Sequence, residues 1–569
     1  MSQMVSDFVP ADLDCSDFSQ LEPLYKQLLE RELANVDDVK QWLQDYADFS
    51  SVISEYGSRR NIDVSCHTDD EAIEKRYMQF VEEIQPKIKP LGFAMVRKLL
   101  DCGFADQLTE PKYVQLVKEW AADAELYRDE NIPLQTDVTK LTTEYGKLCG
   151  KMIVEFKGEK MTLQQLARFM EETDRQTRED AWRLSTTRRL EDRDAMDEIF
   201  NKLLAKRAEI ASNSGKANYR DYIWQSNCRF DYTPEDCLTF GDAIEEVCMP
   251  IVKELDEKRK AELGVEPLKP WDGAVDPKGR QPLRPFDAKD PMQMVKGVRE
   301  IFNRVSPELA NLYDELKPGK NFDLESRPGK RPGGFQSSLE QCREPFIFMN
   351  AAGTHRDVET MLHEAGHAFH YMDARDEPLM FVRHAPLEFC EVASMSMELI
   401  GCDHFDVFYD AENAKRAKAA QLEGILRFFP WMATIDGFQH WLYTNDDNLT
   451  EPRTKAWTEI YDRYSSGVAD WSDIPEARLA RWHAQLHVFH YPFYYIEYGI
   501  AQLGALQVWQ NFKQDADTAL TNLRKAFALG GAKPLPELFE TAGIRFDFSA
   551  DTLGPLIEMV KTELDALEV

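Results

Sequence analysis

Apolar residues recur at steps of three and four along most of this 569-residue chain, and that period constrains the fold more than any other feature. The pattern is clear in residues 21–60 and 68–100 and continues to about residue 260. It returns from Pro386 almost to the end of the chain. Such a period is typical of amphipathic helices that bury one face, so we expect a mainly α protein.

Three stretches interrupt the helical pattern. Residues 151–163 alternate apolar and polar positions around a Lys-Gly pair, which predicts a β-hairpin. Residues 265–291 contain six prolines and predict either a linker or an ordered loop. Residues 333–340 and 344–350 predict two short strands joined by a turn. We therefore expect a small antiparallel sheet that leads directly into the next helix.

Charge and cysteine usage exclude several classes of partner. The chain has 68 basic and 100 acidic residues and a net charge of −32, which disfavours nucleic acid and anionic membranes as ligands. There is no apolar run of about 18 residues and no secretory signal pattern. The ten cysteines form no CxxC pair and indicate reduced thiols. We expect a cytoplasmic protein with no nucleic-acid or membrane partner; the oligomeric state stays open, with a monomer slightly favoured.

The segment MLHEAGHAFH, residues 361–370, contains an HExxH motif on a predicted helix. His363 and His367 are four residues apart, so both imidazoles lie on one face and can bind one ion. Glu364 is rotated by about 100° from His363 and can instead take a proton from a zinc-bound water. The pattern predicts a catalytic zinc site.

A catalytic zinc keeps three protein ligands and one open position. His370 lies on the same helix but cannot easily join a tetrahedral site, so we expect an outer or packing role for it. The next predicted helix, residues 386–400, offers three acidic candidates. Spacing favours Glu391 only modestly over Glu388, and Glu398 is suited to accept a hydrogen bond from a ligand histidine.

The segments GTHRDVETMLHEAGHAFH, FCEVASMSMEL and LHVFHYPFYYIEYGIAQLGALQVW resemble the thimet oligopeptidase and oligoendopeptidase F family of zinc peptidases. The resemblance covers about residues 325–550 and is strongest to the oligoendopeptidase F branch. The N-terminal third is similar only in being helical. The family implies one Zn²⁺ per chain, held by His363, His367 and Glu391, in a large helical fold with a deep channel that admits short peptides.

The resemblance also implies that a histidine and tyrosines near the C-terminus stabilise the tetrahedral intermediate. Matched position by position, these are His487, Tyr495 and Tyr498. The histidine-to-tyrosine spacing departs by one residue from the family pattern, so His490 and Tyr494 stay open as alternatives.

These observations predict a zinc-dependent endopeptidase for short peptides, with Glu364 as the general base. We expect residues 1–200 to form an N-terminal helical domain and one channel wall, and residues 201–569 to form the catalytic domain. The strand at 333–340 is suited to pair with an extended substrate or to brace the HEAGH helix. Two alternatives remain: a zinc carboxypeptidase or dipeptidyl carboxypeptidase, and a non-enzymatic peptide-binding protein with structural zinc.

Overall fold

The structure, a computed structural model, describes residues 7–568 except 328, 332 and 446 and except the side chain at position 164. Its first half is almost entirely helical, as the apolar period predicts. The helices are α1 (Phe18–Glu30), α2 (Val36–Cys66), α3 (Glu71–Gln79), α4 (Gln85–Asp101), α5 (Pro111–Leu126), α6 (Asn131–Gly150), α7 (Leu163–Ala167), α8 (Arg175–Glu191), α9 (Arg193–Asn213), α10 (Tyr219–Ser226) and α11 (Pro234–Leu263).

The predicted hairpin lies between α6 and α7. Strands β1 (Ile153–Phe156) and β2 (Glu159–Thr162) pair antiparallel. Lys157, in the turn, has a φ of 52°, and the following glycine has a φ of 81°. Left-handed conformations at both central residues match the twist of a two-residue hairpin.

A second sheet has three strands, β3 (Phe322–Glu325), β4 (Phe335–Leu339) and β5 (Glu344–Ala351), in the order β3-β5-β4. Strands β4 and β5 are antiparallel, but β3 pairs parallel with β5. The predicted antiparallel pairing of two short strands is confirmed for β4 and β5, but the sequence did not predict the third strand, β3, which makes the sheet mixed. Strand β3 has only four residues. Its parallel partner β5 follows β4 in the chain, so no local turn signal marks the pairing of β3 with β5.

The second half of the chain is again mainly helical, and its helices pack against this sheet and against each other. They are α12 (Met292–Val305), α13 (Pro307–Tyr313), α14 (His355–Ala374), α15 (Met380–Arg383), α16 (Leu387–Gly401), α17 (Ala411–Thr444), α18 (Thr450–Arg463), α19 (Pro475–Leu479), α20 (Leu486–His490), α21 (Tyr495–Gln514), α22 (Ala516–Phe527), α23 (Leu535–Thr541) and α24 (Ala550–Ala566).

Two large apolar cores organise these elements. The larger core includes buried residues between Tyr145 and Val560 and contains the apolar faces of α14, α16, α17 and α21. The other lies among buried residues between Val9 and Trp120, and it also includes Leu379 and Val382 from the segment that joins α14 to α16. The connection between α14 and α16 is therefore anchored in the N-terminal core. The domain boundary near residue 200 stays a prediction.

Among the residues described, every helix is too short or too polar to cross a membrane.

Candidate metal centre

Helix α14 starts at a sharp turn directly after the central strand β5. Gly353 has a φ of 80°, and a Cβ there would lie 3.0 Å from the Phe286 carbonyl oxygen. The next residue, Thr354, donates its backbone N–H to the Asp357 carboxylate at 2.8 Å. A glycine suits the left-handed backbone, and the carboxylate satisfies one free N–H at the helix start. The sheet and this cap therefore set where the HEAGH segment lies.

The glycine of HEAGH permits α16 to pack closely against α14. A Cβ built at Gly366 would lie 2.6 Å from Ser394 Cα and 2.7 Å from the Ala393 carbonyl oxygen. Those distances are too short for any side chain. The close contact places a glutamate of α16 within reach of both histidines of the motif.

Three donor atoms from the two helices converge on one point. His363 Nε2 lies 3.2 Å from His367 Nε2 and 3.4 Å from Glu391 Oε2. The distance from His367 Nε2 to Glu391 Oε2 is 3.6 Å. An ion with ligands at ~2.0–2.1 Å in tetrahedral geometry would separate them by about 3.3 Å. These two nitrogens and one oxygen therefore fit a single zinc ion.

Other side chains form hydrogen bonds with two of the three donor residues, His363 and Glu391. Glu398 Oε1 lies 2.6 Å from His363 Nδ1, the nitrogen that faces away from the triad. Ser394 donates its hydroxyl to Glu391 Oε2 at 3.1 Å, and Tyr494 donates its hydroxyl to Glu391 Oε1 at 3.3 Å. Such outer hydrogen bonds fix the tautomer and orientation of ligating side chains. The position of Glu398 agrees with its predicted outer role.

Glu364 projects beside the triad. Its side chain is buried, and Oε2 has no hydrogen-bond partner among the described residues. Burial raises the pKa of Glu364 to about 7, although the nearby His363 charge and the Gln336 backbone N–H act in the opposite direction. Gln336 belongs to β4, at the outer position of the sheet. A carboxylate with a free oxygen and a raised pKa is suited to accept and release a proton.

The charges of the triad depend on one another. Burial raises the pKa of Glu391, but its interactions with His367, His363 and the Ser394 hydroxyl lower it more, so the net shift is well downward. Burial lowers the pKa of His367 to about 4, which keeps that imidazole neutral. For His363, hydrogen bonds with Glu391 and Glu398 outweigh burial and raise the pKa. Glu391 is thus an ionised oxygen donor beside a neutral nitrogen donor.

The competing residues of the sequence analysis lie elsewhere. Glu388 accepts a hydrogen bond from Tyr232 Oη at 2.6 Å and faces Arg229. His370 packs against the rings of Phe389 and Phe527. Tertiary structure therefore selects Glu391 over Glu388 for the triad and gives His370 a packing role.

The C-terminal histidine and tyrosines form one aromatic group. The His487 ring lies 5.8 Å from Tyr494, 5.0 Å from Tyr495 and 5.8 Å from Tyr498. His490 instead packs at 5.7 Å against Tyr145. Tyr494 alone among these side chains has a described hydrogen bond to the triad, a contact that the sequence reasoning held open but did not select.

A buried arginine supports the turn that presents these tyrosines. Arg229 Nη2 donates to the Phe493 carbonyl oxygen at 2.5 Å and to Glu497 Oε1 at 2.6 Å. Phe493 has a φ of 61°, unusual for a residue with a side chain, and its N–H donates to Gln439. This support was missed by sequence reasoning, because Arg229 lies more than 260 positions from the turn.

Comparisons with known proteins identify the family of this chain. The family model described as "Peptidase family M3" matches residues 168–554, and "Peptidase M3 N-terminal domain" matches residues 8–127. The structure combines a mainly helical fold with an HExxH helix and a glutamate on the adjoining helix. The chain belongs to peptidase family M3, which confirms the resemblance seen in the sequence.

The curated relatives are distant in sequence, and one solved structure shares the fold. An oligoendopeptidase F homolog of Borreliella burgdorferi is 22% identical over 56% of this chain and 54% of its own. The chromosomal oligoendopeptidase F of Lactococcus lactis subsp. cremoris is 21% identical over 65% and 60%. The chain thus matches little more than half the length of these curated relatives. The structure of PZ peptidase A with inhibitor 2 is 27% identical, with a TM-score of 0.91 over 98% of this chain and 99% of that one.

Proposed function

We propose that this protein is a zinc-dependent oligopeptidase that hydrolyses internal bonds of short peptides. The observation that carries the proposal is the triad of His363, His367 and Glu391, whose donor atoms lie 3.2–3.6 Å apart, beside the free carboxylate of Glu364. Membership of peptidase family M3 supports it. A reducing, cytoplasmic location is consistent with ten free cysteines.

The triad would hold one Zn²⁺ through two imidazole nitrogens and one carboxylate oxygen. When bound, zinc polarises a carbonyl and lowers the pKa of water towards 7. Glu364 then accepts a proton from the attacking water at its free oxygen and later donates it to the leaving amine. Glu398 keeps the His363 ring oriented throughout by holding Nδ1.

The aromatic group would stabilise the oxyanion. We assign that role to His487, Tyr495 and Tyr498, whose rings cluster beside Tyr494. Tyr494 itself donates to Glu391, and it therefore orients the ligand. One well-placed donor is typically worth about 10²–10³ in rate.

The outer edge of β4 is suited to bind the substrate backbone. Strand β4 pairs on one side with β5 and ends the sheet on its other side, where the Gln336 N–H approaches Glu364. An extended peptide that adds to this edge would run past the general base. Backbone pairing depends little on side chains, which suits a protein that cleaves many short sequences.

The decisive experiment separates metal binding from catalysis. Glu364→Gln is expected to retain about one zinc per chain by elemental analysis and to lose peptide cleavage, because the base is removed while the ligands stay. His363→Ala, as the comparison, should lose both zinc and activity. Cleavage by Glu364→Gln at the parental rate would overturn the assignment of the base.

End-trimming by a carboxypeptidase or dipeptidyl carboxypeptidase is the alternative activity. Mass spectrometry of products from a mixed peptide digest distinguishes the two, because internal cuts exclude an obligate end-trimmer. Chelation followed by zinc addition tests the structural-zinc alternative, since a peptidase recovers activity.

A further inference from the structure

Arg356 stands in the first turn of α14, the helix that carries His363 and His367. It precedes His363 by seven residues, so it lies within about 20° of His363 around the α14 axis and about 10 Å before it along that axis. Its side chain is 81% exposed. Glu398 of α16 and Tyr495 of α21 nevertheless act electrostatically on the guanidinium. Arg356 is therefore an exposed cation on α14 that lies close enough to α16 and α21 to interact with their side chains.

The guanidinium of Arg356 is weakly held by the protein itself. Its described ion pair is with Glu359, between Nη1 and Oε2 at 3.4 Å. The Glu359 carboxylate is buried, but the 3.4 Å separation is long for a charged hydrogen bond, which is usually about 2.7–2.9 Å. Arg229 and Arg383, by contrast, are buried and donate to several acceptors within 3.0 Å. Arg356 therefore keeps most of its N–H donors available for a ligand.

We propose that Arg356 binds a carboxylate of the peptide substrate, two to four residues from the bond that is cut. This inference rests on the proposed peptidase function and names a substrate class for it. The spacing follows from the ~10 Å along the helix and the ~3.3 Å that each residue of an extended peptide spans. Arginine suits this role because its planar fork pairs with both oxygens of a carboxylate.

The negative charge of the rest of the chain would make the Arg356 contact selective for the position of the carboxylate in the peptide. The net charge of −32 repels acidic peptides in general. An accessible cation beside the triad favours a peptide that places its carboxylate there. The carboxylate comes either from the peptide's own C-terminus or from an Asp or Glu side chain, and both present the same chemistry.

Matched peptides test the contact and separate its two sources. One series carries Glu or Gln at successive positions on either side of a fixed cleavage site, and the other has a free or an amidated C-terminus. For the parent protein, kcat/KM is expected to be about tenfold higher for the carboxylate at one position than for its neutral counterpart. Arg356→Gln should bring that ratio close to one, and Arg356→Lys should restore part of it.

Arg97→Gln is the charge-matched control. Arg97 is half exposed and pairs with Asp101 on α4, so its loss removes one positive charge without altering the triad region. The control should keep the parental ratio. Equal ratios in the parent and in Arg356→Gln would overturn the proposal. If amidation of the C-terminus abolishes the preference for the acidic peptide, Arg356 binds the C-terminal carboxylate. If the preference persists after amidation, Arg356 binds an Asp or Glu side chain.

A binding measurement keeps this inference separate from the peptidase proposal. Fluorescence anisotropy with labelled peptides, on a Glu364→Gln background, reports the carboxylate contact without cleavage. Tighter binding of the acidic peptide, lost on adding Arg356→Gln, supports the contact even if no peptide is cleaved. Equal affinity for acidic and neutral peptides overturns it even if cleavage is observed.

Discussion

The imidazole of His363 is held at both of its nitrogens. Nε2 faces His367 and Glu391, while Nδ1 is 2.6 Å from Glu398 Oε1. A carboxylate on the far nitrogen fixes the ring orientation and raises the basicity of the ligand. Glu398 should therefore influence the affinity of the proposed metal site, although it contributes no donor atom to the triad.

Replacing Glu398 tests that influence. Glu398→Gln is expected to weaken zinc binding by about 10- to 100-fold, measured by competition with a chromophoric chelator. Glu388→Gln is the matched control, since Glu388 is buried on the same helix but bonds Tyr232. The control should keep parental zinc affinity while it lowers thermal stability. Equal zinc affinities in both variants would contradict an outer role for Glu398.

Tyr494, directly before α21, and Tyr498, within α21, are expected to have different roles. Tyr498→Phe should lower kcat by about 10²–10³ with little change in KM, because an oxyanion donor acts in the transition state. Tyr494→Phe should instead weaken zinc retention, since it removes the hydroxyl that donates to Glu391. Steady-state kinetics and zinc titration on both variants check this. An unchanged kcat in Tyr498→Phe would remove it from the mechanism.

Contact between α14 and α16 positions the ligands at the level of whole elements. The two helices approach at Gly366, where the backbone of α16 occupies the space of a side chain. Helix cores tolerate little added volume, so the separation of the helices is sensitive to a single methyl group. The glycine of HEAGH is explained by packing, and the proposed metal site would explain the histidines around it.

Gly366→Ala is expected to push the helices apart. The change should lower stability by about 1–3 kcal/mol and weaken zinc binding more than tenfold, because Glu391 moves away from the histidines. Gly424→Ala is the control, since a Cβ there meets nothing within 4 Å in helix α17. It should stabilise the protein by about 0.5–1 kcal/mol. Thermal melts and zinc titration measure both effects, and parental zinc affinity in Gly366→Ala would refute this account.

At the scale of the whole molecule, the segment between α14 and α16 connects the two cores. Leu379 and Val382 pack in the N-terminal core, while Arg383 donates to Glu340 at 2.9 Å just after β4. His384 Nε2 lies 2.6 Å from the other Glu340 oxygen. The edge strand, the connection and both site helices are thus joined through one buried carboxylate.

This carboxylate predicts a pH-dependent contribution to stability. Burial raises the pKa of Glu340, but the hydrogen bond of His384 and the charge of Arg383 lower it more, to below its ordinary value of 4.5. A depressed folded-state pKa stabilises the protein above the unfolded value, and the effect is lost as pH falls through the folded value.

Glu340→Gln is therefore expected to cost about 3–5 kcal/mol at pH 7, because it leaves the buried Arg383 without its ionised partner. The difference from the parent should shrink as the pH is lowered below about 4.5. Urea unfolding at pH 7 and near pH 4 measures it, and Glu22→Gln, an exposed carboxylate paired with Lys26, should show no such dependence. A difference that grows on acidification would contradict a depressed pKa of Glu340 in the folded protein.

Some features of this protein follow from the sequence alone, because the interactions that decide them are local. The three- and four-residue period predicted the helices, the Lys-Gly pair predicted the hairpin, and the spacing of His363 and His367 placed both imidazoles on one face. Each depends on residues within a few positions of one another, where backbone geometry fixes the outcome.

Other features were decided only by tertiary structure, because they join residues far apart in the chain. Glu388 and Glu391 lie on one helix and are both buried, and only the approach of α14 and the position of Tyr232 separate their roles. The parallel strand β3 and the support of Phe493 by Arg229 likewise depend on distant partners. Local sequence patterns do not predict which distant residues come into contact. The packing of the complete chain determines those contacts.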